Sequence, residues 1–121
     1  LLIFIMTTLL SVGTGYPEPS AIAARLKSAD FILIDVREPA EWAETGVAEP
    51  AVLLAMSDLR GSREAWKPFL EKNRDKTLLV MCRSGNRSGQ VAALLAKEGY
   101  KTENVGAFAA WKNAGLPVRK P

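Results

Sequence analysis

TLLVMCRSGNRSGQVAALLAKEG, residues 77–99, decides the fold. Its first part, Thr77 to Met81, is a short apolar run and reads as a buried strand that ends at Cys82. A polar turn, Arg83-Ser84-Gly85-Asn86, follows. From Arg87 to Gly99 the residues Val91, Leu94 and Leu95 recur at helical spacing, and Gly99 supplies the stop. α/β folds place reactive groups in this kind of strand–turn–helix junction, because their crevices open at the carboxyl ends of the strands.

The flanking segments repeat the alternation. Ser20 is suited to cap a short helix, AIAARLKS, ahead of the apolar strand FILIDV (31–36). REPAEWAET (37–45) reads as a short helix, with Pro39 in its first turn and Gly46 past its end. AVLLA (51–55) reads as a strand; SDL and SREAWKPFLEKN (62–73) read as helical, with Ser62 as cap and Pro68 forcing a break or restart. Downstream, YKTENV (100–105) reads as a strand and AFAAWKNAG (107–115) as a last helix. Strands alternating with helices predict an α/β domain. Its central sheet is mainly parallel and flanked by helices, with the polar turn between a strand end and a helix N-terminus.

At 121 residues the chain has room for one domain, assigned to residues 16–121. Residues 1 to 15, beginning LLIFIMTTLLSV, read as an apolar leader: the remnant of an export signal or the end of a fragment. That reading gives an exported or periplasmic protein. The alternatives are translation from Met6, giving a cytoplasmic one, and a segment packed on the core. The apolar run is shorter than the roughly 20 residues a membrane span needs.

Composition narrows the chemistry. There is no His, which removes Ser–His–Asp and Cys–His catalysis and every His-based metal site. There is one Cys, so neither an intramolecular disulfide nor CxxC redox chemistry is available. No metal or organic cofactor is implied. Net charge is +3 with both signs mixed along the chain, which argues against a nucleic-acid partner and leaves room for a small anion.

Cys82 therefore has to be activated without a His base. The amides of the turn and of the helix start form a ready anion nest, and Gly85 permits the backbone to curl. Neighbouring Arg residues and a helix N-terminus lower a Cys pKa from roughly 8.5 into the range 3.5–7.5.

CRSGNRS (82–88), with IDVREPAEW upstream and AAWKNAGLPV downstream, resembles a single-domain rhodanese, a thiosulfate sulfurtransferase-like domain, over about residues 17–118. The resemblance implies that Cys82 is catalytic and that Cys82 to Arg87 form the active loop. It further implies a ping-pong transfer of sulfane sulfur. The Cys82 thiolate takes sulfur from an anionic donor such as thiosulfate, and the resulting persulfide passes it to a thiol or cyanide. In that scheme Arg83, Ser84, Gly85, Asn86, Arg87 and Ser88 surround the substrate, with Arg83 and Arg87 steadying its charge. A carrier that holds persulfide sulfur for an acceptor protein uses the same loop and is the second expectation. A Cys-based phosphatase or arsenate reductase is the third. It requires five residues between Cys and Arg; here Arg87 comes one position early and Ser88 stands in its place. The chain departs from the family pattern at GVAEPA (46–51), where a His is missing, and at GAF (106–108), where Ala107 replaces the second of two glycines.

Each candidate has a blander alternative. Cys82 could be a core Cys, and Arg83 and Arg87 solvated charges or loop braces. Ser84, Asn86 and Ser88 could simply cap the helix, Ser88 foremost. Asp35, at the end of a parallel strand, is expected either to accept loop donors or to cap a helix; Arg37 is expected to pair with Glu38 or Glu41. Both are assigned supporting roles. Glu38 and Glu41 themselves read as a solvated helix face, and Trp42, Trp66 and Trp111 as packing.

Overall fold

The computed structural model describes residues 15–121. The apolar leader read over residues 1 to 15 lies outside them except for Gly15. Four strands, β1 (Phe31–Asp35), β3 (Val52–Leu53), β4 (Thr77–Cys82) and β5 (Lys101–Ala107), form a wholly parallel sheet in the order β3-β1-β4-β5. Register places Asp35 beside Met81 and Cys82 beside Ala107, so these residues share one edge of the sheet.

Alternation along the two central strands sorts the core into two layers. Ile34, Leu78, Val80 and Cys82 face one side, with Leu59 of α3 (Met56–Arg60), Trp66 and Leu70 of α4 (Trp66–Lys72), and Val91 and Leu95 of α5 (Asn86–Lys97). Leu33, Leu79 and Met81 face the other, with Ile22 of α1 (Pro19–Arg25) and Phe108 and Trp111 of α6 (Phe108–Asn113). Leu33, Ile34, Leu78, Leu79 and Leu95 are fully buried, each contributing about 1.5–3 kcal/mol. Both buried Trp indoles are satisfied: Trp66 Nε1 donates to Ala55 O and Trp111 Nε1 to Pro117 O, each at 2.8 Å.

The α/β architecture stands as expected from the alternation, and several local details differ. Helix α1 starts one residue before Ser20, with Glu18 at the cap and Pro19 in the first helical position, where a missing N–H removes no bond. Ser62 does not cap α4. The Asp58 carboxylate does, accepting N–H bonds from Glu64, Ala65 and Trp66 at 3.0–3.1 Å. Pro68 then falls in the first turn and breaks nothing. AVLLA contracts to the two-residue edge strand β3.

The His-less GVAEPA segment supplies β2 (Val47–Ala48), which pairs antiparallel with β6 (Val118–Arg119) in a second small sheet outside the sequence reading. Such short pairings carry too little periodicity to show in a sequence. Helix α2 (Pro39–Thr45) ends where expected and starts at Pro39, two residues into its expected span, closed at its start by a reciprocal capping box between Glu38 and Glu41. Among the described residues no helix is long and apolar enough to cross a membrane.

Candidate active site

Cys82 is the last residue of β4, and Gly85 is the pivot that turns the chain into α5. Gly85 occupies the helix-cap position in the left-handed region, φ 107°, where a side chain is strained. The helix begins at Asn86, one residue earlier than expected. With no side-chain cap, its first amides are left for another acceptor. That acceptor is sulfur: the Ser88 N–H of the first turn acts on Cys82, joined by the cap residue's own Gly85 N–H, which donates to Cys82 Sγ at 3.0 Å, and Ser88 Oγ lies 3.3 Å from the same atom. Ser88 is thus no cap. It is fully buried with its hydroxyl turned back onto the sulfur.

Burial of Cys82, only 1 % exposed, pushes its thiol pKa up. The Ser88 hydroxyl and the backbone N–H groups of Ser88, Gly85 and Ser84 outweigh that effect and hold the pKa below its ordinary value. The site therefore favours an anion on sulfur without a His base.

Asn104, which the sequence reading missed, lies behind the loop. Its Oδ1 accepts from Ser88 Oγ–H at 2.7 Å and from Gly106 N–H at 3.1 Å; its Nδ2 donates to Gly85 O at 2.9 Å. One Ser88 hydroxyl proton thus has two acceptors, Asn104 Oδ1 and Cys82 Sγ. The only sequence signal was an Asn two residues before a Gly at a strand end, a pattern without specificity of its own.

The two loop arginines separate. Arg87 forms a two-pronged ion pair with Glu41 of α2, at 2.6 and 2.8 Å. Its guanidinium draws the Glu41 carboxyl down to about 2. Arg87 accordingly braces the loop, and Glu41 is not the solvated acid expected of it. Glu38 also departs from that expectation, accepting from Ser57 N–H and O–H. Arg83 points outward. It lines a recess of about 200 Å³ with Arg37, Glu44, Phe108 and Lys112. Ser84 and Asn86 are exposed, and Asn86 Oδ1 accepts from Gln90 Nε2.

Asp35 and Arg37 are partners of each other, correcting both expectations. Arg37 Nε and Nη2 donate to the Asp35 carboxylate at 2.8–3.1 Å, and Arg37 N–H adds a bond at 3.0 Å. The remaining guanidinium donors reach Thr45 Oγ1 and Gly46 O, and the group stacks over the Phe108 ring at 4.2 Å. Neither residue is more than 1 % exposed. A buried guanidinium requires a carboxylate close by, and Asp35, two residues back along the strand, supplies it. Glu41 is taken up by Arg87 and Glu38 by Ser57. The pair fastens β1 to the end of α2 beside the loop; it neither takes loop donors nor caps a helix.

This geometry has relatives. The Rhodanese-like domain family model matches residues 18–114, and the chain belongs to that family. It is 36% identical over 109 residues to a protein named Sulfurtransferase from Allochromatium vinosum, covering 86% of this chain and 94% of that protein. The crystal structure of a rhodanese-related protein from Thermoplasma volcanium superposes with a TM-score of 0.70 at 26% identity, over 88% of this chain and 98% of that one. A rhodanese with anions from E. coli gives 0.57 at 25% identity, over 75% and 99%. The chain is therefore a rhodanese-like domain of the sulfurtransferase family.

Proposed function

We propose that this domain moves sulfane sulfur through Cys82, from thiosulfate or a persulfide donor to a thiol or cyanide. The convergence of Gly85 N–H and the Ser88 hydroxyl on Cys82 Sγ carries the reading. A thiolate and the persulfide that replaces it are both anions, and the same donors serve both.

With thiosulfate, the Cys82 thiolate attacks the outer sulfur. The donor's S–S bond breaks, and its electron pair leaves with sulfite. The enzyme now holds Cys82–S–S⁻. A thiolate or cyanide then attacks the terminal sulfur and leaves as a persulfide or thiocyanate, returning the electron pair to Cys82. Atoms and charge balance with no oxidant. Arg83 and Lys112, both exposed at the recess and without a salt bridge among the described residues, face one acid there, Glu44, because Glu41 is held by Arg87; that balance favours an anionic donor.

A phosphatase reading is disfavoured by the loop arginine. Arg87, which a phosphoryl group would need, is committed to Glu41.

Steady-state transfer from thiosulfate to cyanide, measured for the wild type and for Cys82→Ser, tests the proposal. The wild type is expected to form thiocyanate and the variant none. Equal transfer by both would refute it. Wild-type persulfide without turnover would recast the domain as a carrier.

A further inference from the structure

Two glycines far apart in sequence make room for one ring. A Cβ on Gly85 would collide with the Tyr16 hydroxyl and Cζ. A Cβ on Gly106 would collide with Cγ and Cδ2 of the same ring. The Tyr16 ring thus lies along both, its root on Gly106 of β5 and its tip on Gly85 of the loop. Both glycines are left-handed, φ 107° and 88°. Asn104 ties the same two residues from another direction, through Gly85 O and Gly106 N–H.

We propose that Tyr16 is a positioning residue for Cys82: by lying across Gly85 and Gly106 it fixes the peptide whose N–H points at the sulfur. Gly85 has no side chain to hold it and sits in a turn that a glycine leaves flexible. An amide 3.0 Å from Sγ stabilises a thiolate only while its direction is kept, since the interaction weakens steeply as the angle opens. The Tyr16 ring supplies the packing that keeps it. The departure from a double glycine fits the same picture. Gly106 has to remain Gly because the ring rests on it, whereas Ala107, at φ −109°, accommodates its methyl without strain.

The inference rests on the sulfur-transfer reading only for its consequence in turnover. Its test is independent of any sulfur donor: the pH dependence of Cys82 alkylation by iodoacetamide. The variants are Tyr16→Phe, Tyr16→Ala and Tyr16→Leu, with folding checked by circular dichroism. The neighbouring charges are unchanged in all three: Arg83 and Arg87 of the loop, Glu41 and Glu38 around Arg87, and the Asp35–Arg37 pair on β1.

Tyr16→Phe keeps the ring and is expected to keep the wild-type midpoint. Tyr16→Ala is expected to move the midpoint up by about half a pH unit or more as the Gly85 amide loosens. If the Ala variant does not fold, Tyr16→Leu, which keeps bulk but no plane, is expected to show the same shift. A folded Ala or Leu variant with the wild-type midpoint, whatever its melting temperature, would overturn the proposal. A Phe variant shifted as far as Ala would also overturn it, since the hydroxyl and not the ring would then be responsible. Failure of thiosulfate as donor would leave these midpoints unchanged, so the two readings fail separately.

Discussion

The Glu41 carboxylate of α2 grips Arg87, the last residue of the loop, through two bonds of 2.6 and 2.8 Å. A helix laid down before the edge strand thereby fixes the mouth of a loop built much later in the chain. Glu41→Gln is expected to lower stability by about 1–2 kcal/mol. The sign of its pH dependence follows from the folded carboxyl lying at about 2, below its ordinary 4.5. The stabilisation is complete above the unfolded value and is lost as pH falls from there toward the folded one. Urea melts at several acidic pH values should therefore show wild type and Glu41→Gln converging as pH approaches about 2. A gap that persists there would mean that the pair contributes nothing through its charge.

Arg37 offers a sharper stability test. Removing it in Arg37→Met leaves the Asp35 carboxylate buried without its cation, at an expected cost of about 3–5 kcal/mol by urea denaturation. The double variant Asp35→Leu with Arg37→Met should recover much of that loss. Equal destabilisation in single and double variants would contradict the view that the uncompensated charge is responsible.

Ser88→Ala removes the hydroxyl beside Cys82 Sγ and keeps the backbone N–H. The Cys82 thiol should then titrate at higher pH, and its alkylation at mildly acidic pH should slow by about threefold to tenfold. An unchanged profile would show that the Ser88 proton stays on Asn104 Oδ1 and never serves the sulfur.

Arg83 separates donor binding from loop structure. Arg83→Ala is expected to raise the KM for thiosulfate by about tenfold with little change in melting temperature, because the side chain is exposed at the recess. A neutral sulfur donor should be used equally well by both proteins. A loss that is equal for charged and neutral donors would assign Arg83 a role in the loop itself.

How far the sequence foretold this site depends on the range of the interactions. Strand β4, the Cys at its end and helix α5 were legible because their signals are local: an apolar run, a turn residue and helical spacing. The sequence singles out Asp35 and Arg37 as residues but not as partners of each other. Along the chain Glu38, Asp35 and Glu41 lie one, two and four residues from Arg37, and spacing alone does not choose among them. Glu41 with Arg87 and Asn104 with Gly85 join residues far apart in the chain, and no local pattern reports such pairings. Ser88 looked like a cap by residue type. The left-handed Gly85 took the cap position and put Ser88 one turn deeper, against the sulfur.

Sulfur transfer through Cys82 is tested most directly by the intact mass of the purified protein after incubation with thiosulfate and again after a thiol reductant. A gain of one sulfur atom, ~32 Da, located at Cys82 and removed by the thiol, is expected. No gain from thiosulfate or from a persulfide donor, in folded protein whose Cys82 still alkylates, would contradict it.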